Sequence, residues 1–161
     1  LLEVSREVQA EGWSFNKESH YEMTPDTNKE ILIANNILQI DATTNASNAE
    51  LDLVRRNGKL YDKANHTFVF ENSVMCDIVW LFDFIDLPIP VADFIVSRAA
   101  SITSSRVVGD PNQYQMLQQK EAFDRAMALE YECNQGDYTF FGFPGDTNKY
   151  NGYKPYNALY R

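Results

Sequence analysis

The sequence is poor in several things that would otherwise narrow its chemistry. It has two cysteines, two histidines and seven glycines in 161 residues. Cys76 and Cys133 stand far apart with no CxxC spacing, so a pair of buried, reduced thiols is expected rather than a disulfide. His20 and His66 lie in polar surroundings without a second ligand at metal spacing, so neither points to a metal site. The scattered glycines form no P-loop, dinucleotide fingerprint or nucleophile elbow. No apolar run reaches the roughly 18 to 20 residues that span a bilayer. The longest, Ile78 to Ile85, is interrupted by Asp83. Cations are also scarce, with 14 Lys and Arg against 23 Asp and Glu. A net charge of −9 opposes conventional nucleic-acid binding, which rests on cations that neutralise phosphates. It remains compatible with a channel wall along which a duplex slides without sticking.

Carboxylates are plentiful but do not pair. Asp77 and Asp83 fall on one face of an expected long strand, with Glu71 and Asp86 flanking it. Six residues of strand separate the first two by roughly 20 Å. A retaining glycosidase needs its acids about 5 Å apart and an inverting one somewhat more. The solvated face of a half-exposed sheet explains these residues better. Both thiols fall on apolar faces, away from any histidine that could activate them.

What the sequence has in excess is aromatic residues at its end. Tyr138, Phe140, Phe141, Phe143, Tyr150, Tyr153, Tyr156 and Tyr160 crowd a segment otherwise rich in Gly, Asn and Pro. The segment has neither helical nor strand period. Disordered tails are poor in aromatics, whereas interface cores are rich in Tyr and Phe. Two readings are open: an arm that wraps onto a neighbouring copy, or one that folds back over its own domain.

Upstream, the pattern changes from helix to strands and back. Leu1, Val4 and Val8 follow helical spacing in a helix that Gly12 closes. The chain opens inside that helix, without Met and without a signal-like stretch, so a preceding segment is expected. Trp13 and Phe15 alternate with polar residues as a strand would. Thr24-Pro25-Asp26 is a turn, Asn36 to Asp41 a short strand, and Thr43 to Asn48 a polar loop. Asn57-Gly58 between Leu51–Arg56 and Lys59–Lys63 is a strong hairpin signal, since both central residues of a type I′ turn need positive φ. Thr67 to Phe70 is expected as a further strand. Val74, Cys76, Ile78, Trp80, Phe82 and Phe84 form a period-2 row, the mark of a long strand with one buried face. Together these predict one small antiparallel sheet of about four to six strands.

Two helices follow. The first starts near Pro90 and runs to about Val107, with Val91, Phe94, Ile95, Ala99 and Ile102 as its apolar stripe. The second opens with Asp110 as N-cap, Pro111 in the first position and Gln113 completing a capping box, and Gly136 ends it. Its predicted core face is Met116, Phe123, Met127 and Tyr131, with Ala122, Ala126, Leu129 and Cys133 beside it. The fold class is α+β. Residues 1–12 and 88–136 form a helix bundle, 13–87 an inserted antiparallel β platform, and 137–161 an extended aromatic C-terminal arm.

Arg55, Arg56, Lys59 and Lys63 gather at the hairpin in an otherwise acidic chain. They suit either a solvated turn or a contact with an acidic partner or passing DNA.

Several segments recur in a familiar order: Val8-Gln9-Ala10-Glu11-Gly12-Trp13-Ser14-Phe15-Asn16, Thr24-Pro25-Asp26, Ile37-Leu38-Gln39-Ile40-Asp41 and Gly58-Lys59-Leu60-Tyr61-Asp62. Leu87-Pro88 with Arg98-Ala99-Ala100, then Ala126-Met127-Ala128-Leu129-Glu130, complete the series. In this order the chain resembles the tail tubular protein A family, head-to-tail adaptors or gatekeepers of short-tailed bacteriophages. The resemblance implies a structural protein and not an enzyme. It implies a twelve-fold ring between the portal protein and the nozzle, tail tubular protein B, with a C-terminal arm that embraces neighbours. DNA would pass through the channel without specific binding. No cofactor, metal or membrane is implied, and the setting is the virion tail, assembled in host cytoplasm. The family usually has another N-terminal helix before the Gly-Trp segment, and this sequence opens within the tail of its successor. The rival readings are a virion-associated polysaccharide hydrolase and a monomeric binding module.

Overall fold

A computed structural model describes residues 1–43 and 51–136. The chain is α+β, with the strands lying in sequence between the first helix and the last two. Helix α1 (Leu2–Gln9) buries Val4 and Val8 and ends just before Gly12, whose φ of 78° suits a residue without Cβ. The expected strand at Trp13 and Phe15 is instead a turn. The N–H groups of Asn16 and Lys17 both donate to the Trp13 carbonyl, and Asn16 Oδ1 accepts from the Trp13 N–H at 2.8 Å. A local asparagine thus captures backbone that a ladder would have used.

Strands β1 (Lys17–Met23), β2 (Ile37–Ala42) and β5 (Val74–Trp80) form an antiparallel sheet in the order β1-β5-β2. Strands β3 (Leu53–Arg56) and β4 (Lys59–Asp62) form a separate two-stranded sheet. The single sheet predicted from the pattern is therefore divided in two. Asn57 and Gly58 have φ of 51° and 73°, as a type I′ hairpin demands. Both sheets share one core: Leu53 and Leu60 of the hairpin pack with Ile37, Val74, Cys76 and Ile78 of the larger sheet.

The strand expected at Thr67–Phe70 is reduced to a bridge between Asp62 and Thr67. Asp62 bends the chain here, accepting hydrogen bonds from the Ala64 N–H and the Asn65 side chain. The period-2 row also ends early. Beyond Trp80, the Leu81 N–H donates to the Asn36 carbonyl and the Phe82 N–H to the Gln9 side chain. A 3₁₀ turn at Phe84–Asp86 follows, so Phe82 and Phe84 are exposed and Asp83 stands outside the strand.

Helix α2 (Ile89–Thr103) runs into a π turn, Ser104–Val108, closed by the Gly109 N–H on the Ser104 carbonyl. Helix α3 (Pro111–Gly136) starts where Asp110 Oδ1 accepts from the Asn112 N–H at 3.0 Å. Helix α2 packs on both α1 and α3 around Val8, Trp13, Val91, Phe94, Ile95 and Ala128. Contacts of Arg98 and Ser101 with Glu121, and of Phe94 with Arg125, set α2 and α3 antiparallel.

Candidate functional site

The eight aromatic residues singled out as an interface, Tyr138, Phe140, Phe141, Phe143, Tyr150, Tyr153, Tyr156 and Tyr160, lie outside the described residues, as does the polar loop from residue 44. The hairpin cations are described, and their chemistry is uneven. Lys59 Nζ lies 2.6 Å from Glu30 and Lys63 Nζ 2.6 Å from Asp52, so both ammonium charges are matched. Arg55 donates to the Ile37 carbonyl and to Asn35 Oδ1, both neutral acceptors. Arg56 stacks over the Tyr61 ring at 4.2 Å. Among the described residues, the tip therefore presents two guanidinium groups without a carboxylate partner rather than a basic patch of four. Leu32 bridges to Lys59 and is exposed, which adds an apolar contact beside them.

The helical surface differs from expectation in a way that bears on assembly. Periodicity predicts Met116, Phe123 and Met127 in the core, but they are 72%, 65% and 44% exposed, and Tyr131 is only half-buried. Helix α3 turns a different face inward, with Asp124 and Ala128 as its buried residues. The reason is polar as much as apolar. Glu121 accepts from Ser101 at 2.5 Å and from Arg98, and Ala128 is small enough to let α2 approach. Glu132, further along, accepts from the Ser14 N–H and hydroxyl, which pins α3 to the turn after α1. Cys133 is exposed, contrary to its expected burial; Cys76 is fully buried, and burial with the charges of Asp77 and Asp41 pushes its thiol up to about 11.

The carboxylates do not assemble a reaction centre among the described residues. Asp77 accepts from the His20 N–H and the Thr43 hydroxyl, Glu71 pairs with Lys29, and Asp86 closes the 3₁₀ turn. A groove of about 450 Å³ between the turn after α1 and the sheet is lined by Glu11, Lys17, Gln39, Asp41 and Asp77. Among the described residues, no three His, Cys, Asp or Glu side chains converge as metal ligands would. His20 and His66 are exposed and take positive φ, His20 at the irregularity in β1 between Glu18 and Tyr21 and His66 in the turn after β4. Among the described residues, no helix is long and apolar enough to cross a membrane.

Exposed apolar side chains are the distinguishing property of this surface. Besides the α3 residues they include Ile85, Ile89 and Val96 around α2 and Val107 and Val108 in the π turn. Such a coat suits a protein that is covered by others of its kind or by partners. A search of curated proteins finds no match to the chain. A family model described as tail tubular protein matches residues 1–138, and the chain belongs to that family.

Proposed function

We propose that this tail tubular protein, a structural component of a phage tail, is the head-to-tail adaptor of a podovirus-like virion. It forms a ring, a homododecamer, around the DNA channel beneath the portal protein and above the nozzle, tail tubular protein B. The observation that carries the reading is the family match over 1–138 on a chain whose helices expose so many large apolar residues. A lone soluble protein gains nothing from that surface, whereas a subunit between two partners and two copies of itself does.

In this reading 1–12 and 88–136 form the bundle, 13–87 the platform, and 137–161 the arm. The arm aromatics, Tyr138 to Tyr160, supply subunit and portal contacts, and the hairpin tip faces the nozzle or the lumen. The net charge of −9 repeats in each copy, so the ring surrounds the duplex with a negative field and lets it pass as a gatekeeper that does not adhere. The protein assembles in host cytoplasm and needs no cofactor.

The test is to mix the full chain with its portal and image the complex. A closed ring on the tail side of the portal is the expected result. A portal left bare, or decorated on its head side, would overturn the reading.

A further inference from the structure

Helix α3 leads straight into the aromatic segment, and it carries an uncovered apolar stripe on its way there. Met116, Phe123 and Met127 are spaced so that they share one helical face. All three are exposed. The residues that dock α3 on α2, Glu121 and Ala128, lie on another face, so α2 does not cover the stripe. Its chemistry suits aromatic rings, because a thioether beside a ring edge is a favourable contact.

Residues 137–161 continue from the end of this helix, and their sequence fits the stripe when the chain doubles back. Along the helix Met127 lies about 13 Å and Phe123 about 20 Å before Gly136, at roughly 1.5 Å per residue. An extended chain covers those lengths in about four and six residues. After a reversal of about one to three residues, positions 141–145 come level with the two side chains. Phe141 and Phe143 stand in that stretch, two residues apart, so an extended backbone turns both to one side. The arm of the same copy is tethered beside the stripe at an effective concentration on the order of millimolar, whereas another copy must arrive from solution. We propose that in the unassembled chain the root of the arm folds back along its own α3 and seats Phe141 and Phe143 on Met127 and Phe123. In a ring these aromatics reach a neighbour or the portal only after leaving that face, so the contact holds the arm back until a partner competes for it. The inference goes beyond the ring reading and stands without it.

The test uses the isolated full chain. With Cys133→Ser as background and Cys76 buried, Phe123→Cys supplies one reactive thiol on the stripe. Its maleimide labelling should be about fivefold slower than in the same chain carrying Phe141→Ser and Phe143→Ser, because the thiol reacts only while the arm is lifted. The protection should persist when the protein is diluted about a hundredfold, since the tether is intramolecular. Because Phe123→Cys trims the face it reports on, a second pair stands beside it. Met127→Cys with Phe143→Cys, oxidised at low protein concentration in the same background, should close a disulfide within one chain and leave it a monomer. Equal labelling together with no internal disulfide would show a bare stripe and overturn the inference. Protection lost on dilution, or a linked dimer in place of the internal disulfide, would show that a second copy supplies the cover and overturn it too. No portal enters either measurement, so a failed ring leaves this result untouched, and failure here leaves the ring reading standing.

Discussion

The side-chain amide of Gln9 pairs with the backbone of Phe82 in both directions. Its Nε2 donates to the Phe82 carbonyl at 3.1 Å, and its Oε1 accepts from the Phe82 N–H at 2.8 Å. Gln9 is fully buried and also donates to Ser5. The last residue of α1 thus stands in for the strand that Phe82 would otherwise need. Asn16 makes the companion link, donating to the carbonyls of Gln9 and Trp80. Side-chain amides on backbone thus tie the end of α1 to the sheet and to the segment that follows it.

Gln9→Ala would leave both backbone groups of Phe82 without partners in a part-buried site. The expected cost is about 2–4 kcal/mol, from unmet hydrogen bonds and lost packing. Thermal unfolding monitored by circular dichroism checks it. An unchanged midpoint would mean water replaces the amide without loss.

Asp62 gives the acid limb of stability. Burial alone would raise its carboxyl pKa, but hydrogen bonds from the Asn65 side chain and from the Ala64, Asp52 and Asn65 N–H groups outweigh it and hold the pKa below the ordinary value. Because the folded-state pKa is depressed, this contribution is present above the unfolded value, about pH 4, and is lost as pH falls through the folded value. Asp62→Asn should melt lower than the parent at pH 7 and show a flatter fall in midpoint between about pH 5 and about pH 3, where carboxylates titrate. Parallel acid limbs in the two proteins would show that Asp62 does not contribute.

The two thiols should react differently. At pH 8, on the order of the free thiol's own pKa, Cys133 is expected to label with a maleimide and Cys76 not. Cys76 is buried and its thiol is pushed up to about 11. One label per native chain and two per unfolded chain, read by intact mass, is the expected count. Two labels on the native chain would mean the sheet core opens readily.

At the hairpin, the paired lysines should separate from the arginines, which have no ion-pair partner among the described residues. Reversing Arg55 and Arg56 to Glu is expected to weaken attachment of the nozzle by roughly tenfold, while portal docking stays intact. Neutralising Lys59 and Lys63 should do much less, because Glu30 and Asp52 already balance them. Pull-down of the nozzle by portal-bound protein measures both. Loss of portal docking in the arginine variant would mean the ring is inverted.

Much of this architecture was legible in the sequence, and the misses share a physical cause. Asn57-Gly58 announced the hairpin, Asp110-Pro111 the start of α3, and Val91, Phe94 and Ile95 the core face of α2, because each signal is local or periodic. The strand at Trp13 failed because Asn16 competes for the same backbone, and the long strand stopped at Trp80 because Gln9, distant in sequence, captures Phe82. The inward face of α3 was missed for a different reason. Apolar periodicity singled out Met116, Phe123 and Met127, yet Glu121 and Ala128 decide how the helix docks. A periodic apolar face shows that something covers it and not whether the cover belongs to the same chain. For the site, the four hairpin cations were visible, but only the structure separates the paired lysines from arginines that have no carboxylate partner among the described residues.

A closed ring of equal copies on the portal would have a mass set by the number of portal subunits. Native mass spectrometry of portal saturated with the full chain should show as many copies as portal subunits, about twelve in a closed cyclic arrangement, with few partially loaded species. One or two copies per portal, or a broad distribution that follows independent binding, would contradict it.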